Sequence, residues 1–449
     1  MKSGHKTLGI LLILIGLLSN PWLFSWLFSN DGDITTYTII GTIVFCELLI
    51  VILGVSILFL ARKSLANIGL MVVSAWMTLA FTMSLDRAYG RLIISETDSL
   101  LFPAFSKAEH HTSEFELDVV INNLGFRGPN TRLKKQGKRV VVIGDSFTFG
   151  WGVKEHETWI HLLSEQHPTV EFLNLGQGGN HPGDHVRVAK KTIPLLKPDV
   201  VFVCVLEGND LHQLMRLIEF EESGNSIPKS ESIPEPPQAK LRRYLGLILP
   251  NFTKRFPAKV SIQTRWKKDA ENLLSELNEL QLAKYNSLNT TIRNDLENGL
   301  LNPSLIYESL HHPDMFMQAV DTANELCNKG VVRLRDHLLE LKFIAESTGA
   351  EPLFINIPNR PYEFPNELEP LSELGFDVSG CDTLDAAFPM TMTSDGLEVP
   401  LLNPKFPKTE TSPFYYYDGH WNEEGNRIFA EQLIAELDSL PEWKRFLTL

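Results

Sequence analysis

Four short polar blocks lie far apart in this chain: Gly144-Asp145-Ser146, the run NLGQGG at 174–179, Gly208-Asn209-Asp210, and Asp418-Gly419-His420-Trp421. Together they hold what acyl transfer from an ester requires. A serine hydroxyl such as that of Ser146 is a weak nucleophile until a base takes its proton, and His420 is a candidate base. Asp418 can fix the imidazole tautomer and stabilise its charged form. The tetrahedral oxyanion needs preorganised donors. The Ser146 N–H, a glycine N–H from the loop after the second strand and the Asn209 amide can supply them. Singly, each block has a plainer reading: Gly-Asp-Ser also serves as a helix cap and Gly-Asn-Asp as a strand-ending turn.

Other polar residues carry less. Asp145 and Asp210 read as acceptors of backbone N–H groups at their own turns. His181 and His185 are four apart, but no third ligand is evident, so a loop histidine and a helix-surface one are expected rather than a metal pair. Trp151 and Trp421 either line the pocket, stacking on a sugar face, or only pack. The four cysteines include no CxxC. Cys46 and Cys204 lie in apolar runs, while Cys327 and Cys381 either pair outside the cytoplasm or stay as free buried thiols. No metal or soluble cofactor is expected.

The elements that must position these groups are readable from Arg139 onward. Residues 139–144, 170–176, 199–207 and 351–358 are continuous apolar runs, as expected of parallel strands covered on both faces. Helical patterns fall at about 156–167, 183–197, 331–350 and 422–437. The alternation predicts a three-layer α/β domain with a parallel sheet, and such a sheet places ligands at the carboxyl ends of its strands. The first three blocks stand there, and the fourth precedes the last helix. Residues 213–330 break the alternation and are expected as a mostly helical insertion between a first part, 91–212, and a second, 331–449. The insertion opens on a Pro-rich polar linker. From Lys240 to Lys268 it holds nine basic residues and no acidic one. That stretch reads as a solvated basic helix face or as a surface for anionic headgroups. The segment INNLGFRGP at 121–129 is a turn-rich lead-in.

The blocks GDS, NLGxxG, GND and a late D-x-H resemble those of the SGNH/GDSL hydrolase superfamily, in which Ser, Gly, Asn and His stand one per block. The resemblance covers about 139–212 and 331–440 and skips the insertion. It implies an SGNH-like, flavodoxin-like α/β/α fold with Ser146 as nucleophile, His420 as base, and Gly179 (Gly178 on a one-residue slip) and Asn209 beside the Ser146 N–H as oxyanion donors. The family block is D-x-x-H. Here Tyr417 stands three before His420, and Asp418, in D-x-H, is the nearby acid. A D-x-H-W block is similar to that of the alginate-acetylation type of SGNH-like acetyltransferases, where it precedes the serine instead of following it. GFRG at 125–128 resembles the lead-in of membrane-anchored bacterial members.

Residues 1–90 are expected as a membrane anchor. Apolar runs at 7–28, 39–60 and 65–85 each reach the roughly 20 residues that a membrane-crossing helix needs. A cleaved signal peptide is the competing reading for the first run, although LLSNPW is a poor cleavage site. Lys2, Lys6, Arg62 and Lys63 flank the spans on one side, Asp31 and Asp33 on the other. The basic ends belong in the cytoplasm, which puts the large domain on the periplasmic or extracellular side of a multi-pass cell-membrane protein. A formal charge of −14 argues against nucleic acid as a partner.

The resulting expectation is a membrane-anchored serine esterase that removes O-acyl groups, foremost O-acetyl, from a cell-surface glycan or lipid-linked sugar. An O-acyltransferase would use the same residues and differ in keeping water from the acyl-enzyme. It would also need a membrane protein that supplies the acyl group. A non-catalytic glycan-binding or assembly protein is the third reading, and the four intact blocks argue against it.

Overall fold

A computed structural model describes residues 2–18, 37–60, 63–93, 100–223, 245, 249, 260–321, 323–381 and 396–448. The chain forms two compact units: Met1–Glu96 with Ser232–Arg255, and Thr97–Glu231 with Phe256–Leu449.

The first unit holds the helices Lys2–Leu18, Tyr37–Leu60 and Lys63–Ile93. Residues 19–28 of the first expected span lie outside the described residues. The first two helices approach closely. A Cβ added to Gly9 would stand 2.9 Å from the Gly54 carbonyl oxygen, and one added to Gly54 would stand 2.8 Å from that of Gly9. Only glycine permits such an approach. Leu12, Ile15, Ile57 and Val73 form the interior, whereas Leu14, Ile52, Phe59, Met71 and Phe81 are exposed. Among the described residues one stretch, Asn67–Asp86, with mean hydropathy 1.8, is long and apolar enough to cross a membrane; Lys6–Leu18 and Glu47–Phe59 are shorter apolar helices.

The second unit is built on a five-stranded parallel sheet of β3 (Lys138–Ile143), β4 (Val170–Asn174), β5 (Val200–Leu206), β7 (Glu351–Ile357) and β8 (Leu401–Leu402), in the order β4-β3-β5-β7-β8. Counted along the chain this is strand order 2-1-3-4-5, the flavodoxin-like arrangement, whose switch point lies between β3 and β5. The apolar runs arise because both faces are covered. Val140 and Val142 pack with the helices Trp159–Gln166, Glu423–Leu437 and Pro441–Thr448. Val141 and Ile143 pack with Pro182–Leu196 and Glu325–Ser347. The expected three-layer α/β architecture is therefore present.

A second sheet, in the order β2-β1-β6, was not evident in the sequence. β1 (Lys107–His111) and β2 (Glu116–Val120) form an antiparallel hairpin, and β6 (Val260–Ser261) runs parallel to β1. The hairpin lies in the lead-in, and β6 ties the start of the later helices to it. Those helices, Ile262–Glu276, Glu279–Ser287, Thr290–Glu297, Pro303–His311 and Met315–Gln318, share a core of their own that includes Leu273, Ile292, Ile306 and Phe316. Leu371, Leu374 and Phe376, which follow β7, complete it. On the first of them Arg265, Lys267 and Lys268 face solvent while Ile262 and Trp266 are buried. Apart from 245 and 249, residues 240–259 of the basic stretch lie outside the described residues.

Two expectations meet the packing here. His185 is not on a helix surface but fully buried. The helix Glu325–Ser347 covers that face, and burial, with the His181 and His337 rings nearby, lowers its pKa to about 3. Cys327 and Cys381 are both buried and unbridged.

Candidate active site

The strand β3 delivers the nucleophile. Gly144 follows it, and Asp145 caps the short helix Ser146–Phe149 by accepting the Phe147 N–H at 3.0 Å. The turn is wedged against its neighbours. A Cβ on Gly144 would stand 2.0 Å from Thr148 Oγ1, and one on Gly176 would stand 2.3 Å from the Phe149 nitrogen. Asp145 is buried, and burial pushes its carboxyl up to about 6 while His420 pulls it down. Asp210 accepts the Leu206 N–H at 2.9 Å, and burial, then the charge of Asp145, raises it well above the usual range. Both aspartates thus hold backbone groups at their turns.

The base reaches that serine from the far end of the chain. His420 Nε2 stands 2.7 Å from Ser146 Oγ, and His420 Nδ1 stands 2.6 Å from Asp418 Oδ1. In an extended chain, side chains at i and i+2 are separated by a residue pointing the other way. Gly419, at φ 79°, bends the chain between them, and the short D-x-H spacing still closes a Ser–His–Asp line. The Trp151 Nε1–H donates to the other Asp418 oxygen at 3.1 Å. Burial works to raise the Asp418 carboxyl, but the His420 ring and then the Trp151 indole outweigh it, so it sits below its usual value.

A cavity of about 360 Å³ opens on this line, with Ser146, Gly179, Asn209, Asp418 and His420 in its wall. Gly179 has φ 77°. A Cβ on Gly178 would lie 3.8 Å from Ser146 Cβ, so both glycines of the slip are near, and Gly179 is the one that lines the cavity. The Ser146 and Gly179 N–H groups have no acceptor among the described residues. Asn209 opens the helix Asn209–Glu222 after Gly208. The four blocks are therefore brought to one place, at the switch point of the sheet.

Several residues that hold the site carry little or no sequence signal. Glu114, in the β1–β2 turn, accepts the Tyr417 N–H at 3.1 and 3.2 Å and the Asp418 N–H at 2.7 Å. Burial raises its carboxyl. Arg360 donates to the carbonyl oxygens of Tyr415 and Tyr416 and stands 5.1 Å from the centre of the Phe414 ring. Arg127, the arginine of GFRG, donates to the carbonyls of Phe149, Gly150 and Val153. Burial lowers both arginines to about 10, which leaves them charged at neutral pH. The Trp151 ring centre stands 4.4 Å from that of His110 and 5.8 Å from that of Trp266. Trp421 is buried and packs on Phe147 at 5.0 Å and Phe429 at 4.5 Å, so it does not line the cavity. His181 caps the helix Pro182–Leu196, its Nδ1 accepting the Gly183 N–H at 3.0 Å. Among the described residues no group of three metal-ligating side chains occurs.

No family model matches the chain, and no curated protein does. Solved structures share part of its shape. The chain is similar to TesA (12% identity, 67% of this chain and 98% of that one, TM-score 0.32). It is similar to a putative lipolytic protein of the G-D-S-L family from Desulfitobacterium hafniense DCB-2 (12% identity, 66% and 98%, TM-score 0.30). It is also similar to a catalytic mutant of Axe2, an acetylxylan esterase from Geobacillus stearothermophilus (9% identity, 68% and 96%, TM-score 0.30). The roles assigned to residues below rest on the geometry of this chain.

Proposed function

We propose that this protein is a serine ester hydrolase of the SGNH type, carried on a membrane anchor and acting on O-acyl esters of a cell-surface glycan or lipid-linked sugar. The observation that carries the chemistry is the unbroken line from Ser146 Oγ through His420 to Asp418, at 2.7 and 2.6 Å. Ser146 attacks the ester carbonyl while His420 Nε2 takes its proton. Asp418 stabilises the imidazolium. The Ser146 and Gly179 N–H groups and the Asn209 amide bind the oxyanion. His420 then gives the proton to the leaving alcohol, and water, deprotonated by the same ring, releases the acyl group from Ser146. None of these steps calls for a metal or cofactor. A sugar hydroxyl in place of water would make the same site an acyltransferase.

The anchor reading is supported by the outward apolar residues of the first unit and by the charges flanking its helices. A reporter fused after residue 90 is expected on the outer side of the membrane, and a cytoplasmic signal would overturn that placement. For the chemistry, purified protein is expected to release carboxylic acid from a simple ester, and Ser146→Ala is expected to stop it while the protein stays folded. Undiminished turnover by Ser146→Ala would overturn the reading.

A further inference from the structure

The cavity reaches well past the reacting groups. Beyond Ser146, Gly179, Asn209 and His420, Leu305, Met315, Phe316, Leu371 and Phe376, with Leu206 at the end of β5, make an apolar part of its wall, and Gln213, Asn302, Ser304 and Asn359 add uncharged polar groups. Of the apolar residues, the first three belong to the segment that interrupts the α/β pattern, and the next two to the segment after β7, Leu371 on the short helix Glu369–Glu373. Met315, Phe316, Leu371 and Phe376 are at most 8% exposed. They form the edge of the inserted helices' own hydrophobic core, with Leu305 packed against it. The wall is thus held by packing rather than left to loop side chains.

Its charge is equally informative. Arg360 lines the cavity, but its guanidinium is engaged by the Tyr415 and Tyr416 carbonyls. His212 is buried, which favours its neutral ring, and burial likewise favours the neutral form of Glu308. Among the described residues that line the cavity Arg360 is the one lysine or arginine, and both of its terminal guanidinium nitrogens are taken by those carbonyls. Such a pocket suits an uncharged, mostly apolar group.

The catalytic geometry says which part of the ester that is. His420 must hand its proton to the leaving oxygen, so the alcohol lies on the His420 side. The acyl carbon chain lies on the other side of the carbonyl, and the apolar part of the wall is the part that suits it. We propose that the inserted segment forms an acyl-binding pocket beside Ser146, sized for an unbranched, uncharged chain longer than acetyl. This rests on the ester-hydrolase reading and replaces acetyl with a longer chain.

The test is a series of p-nitrophenyl esters, from acetate through butyrate, hexanoate, octanoate and laurate, hydrolysed by the full-length protein. The leaving group is constant, so kcat/KM reports the acyl side alone. Each methylene buried is expected to raise kcat/KM by about fourfold until the pocket is full, so butyrate should exceed acetate by on the order of tenfold. Leu305→Trp should return the preference to acetate, with an unchanged Tm and circular-dichroism spectrum as the check on folding. If that variant does not fold, Leu305→Ala should move the optimum to longer chains. Acetate as the best substrate of the unaltered protein, or a preference that neither variant moves, would overturn the proposal. If no ester in the series is hydrolysed and a fluorophosphonate does not label Ser146, the ester-hydrolase reading itself has failed, and the pocket assignment falls with it.

Discussion

The two halves of the reacting pair are held in different ways. Ser146 stands at the end of a central strand, in a turn capped by Asp145 and pressed against the ends of β4 and β5. Regular structure positions it, and few side-chain contacts are needed. His420 stands in an irregular loop. Glu114 holds that loop by its amides, Arg360 by its carbonyls, and Trp151 holds Asp418 directly. The nucleophile is placed by the backbone of the sheet, and the base by buried charged and aromatic side chains drawn from three other segments. Loss of function is therefore expected by different routes at the two ends.

The largest effect belongs to the reacting groups. Ser146→Ala and His420→Ala should each lower kcat for a model ester by about a million-fold, toward background, with unchanged Tm. A Tm drop of the same size as that from a core deletion would contradict the claim that the serine turn is held by its backbone.

Next comes the clamp. Glu114→Ala frees two loop amides without touching the reacting atoms, so kcat should fall roughly 10- to 100-fold while KM stays near its original value. Glu114→Gln keeps a carbonyl acceptor and should recover part of the loss. An equal loss in both variants, or a change confined to KM, would break the distinction between the two ends. Trp151→Phe removes one hydrogen bond to a charged group, for which about 1.5–3 kcal/mol is typical. Because water can reach part of this loop, the low end, about tenfold in kcat, is expected.

The smallest effect is on stability. Glu207, at the end of β5, is buried and accepts from Asn356 Nδ2 at 2.9 Å and the Asn359 N–H at 3.2 Å. Burial pushes its carboxyl up to about 7. The folded state then holds a proton that the unfolded chain has already lost, so stability falls as pH rises from the unfolded value toward that pKa. Asp145, at about 6, acts in the same direction over the lower part of the window. The Tm should fall between about pH 4.5 and about pH 7, and Glu207→Gln should flatten the upper part of that slope. An unchanged slope would remove Glu207 from the account.

The same comparison explains what the sequence could and could not disclose. β3, β4, β5 and β7 are apolar runs because both of their faces are covered, so they and the polar blocks after them were legible. The hairpin was not, because KAEHH and ELDVV are short, polar and mostly solvated. β8 is two residues long. Glu114 meets a loop 303 residues further along, and no local pattern encodes such a meeting. Arg127 had a faint signal in GFRG, and Arg360 had none. His185 was misplaced because a single amphipathic pattern cannot reveal a second helix packed over its flank. The insertion's helices were legible as helices, but their part in the cavity wall depends on tertiary packing with residues after β7.

The central claim is that Ser146 is activated by His420 in the folded protein. The most direct measurement is labelling with a fluorophosphonate, followed by mass spectrometry of the modified peptide. The account predicts stoichiometric phosphonylation at Ser146, lost on denaturation and in His420→Ala. An unlabelled Ser146 in folded protein, or a label on another residue, would contradict it.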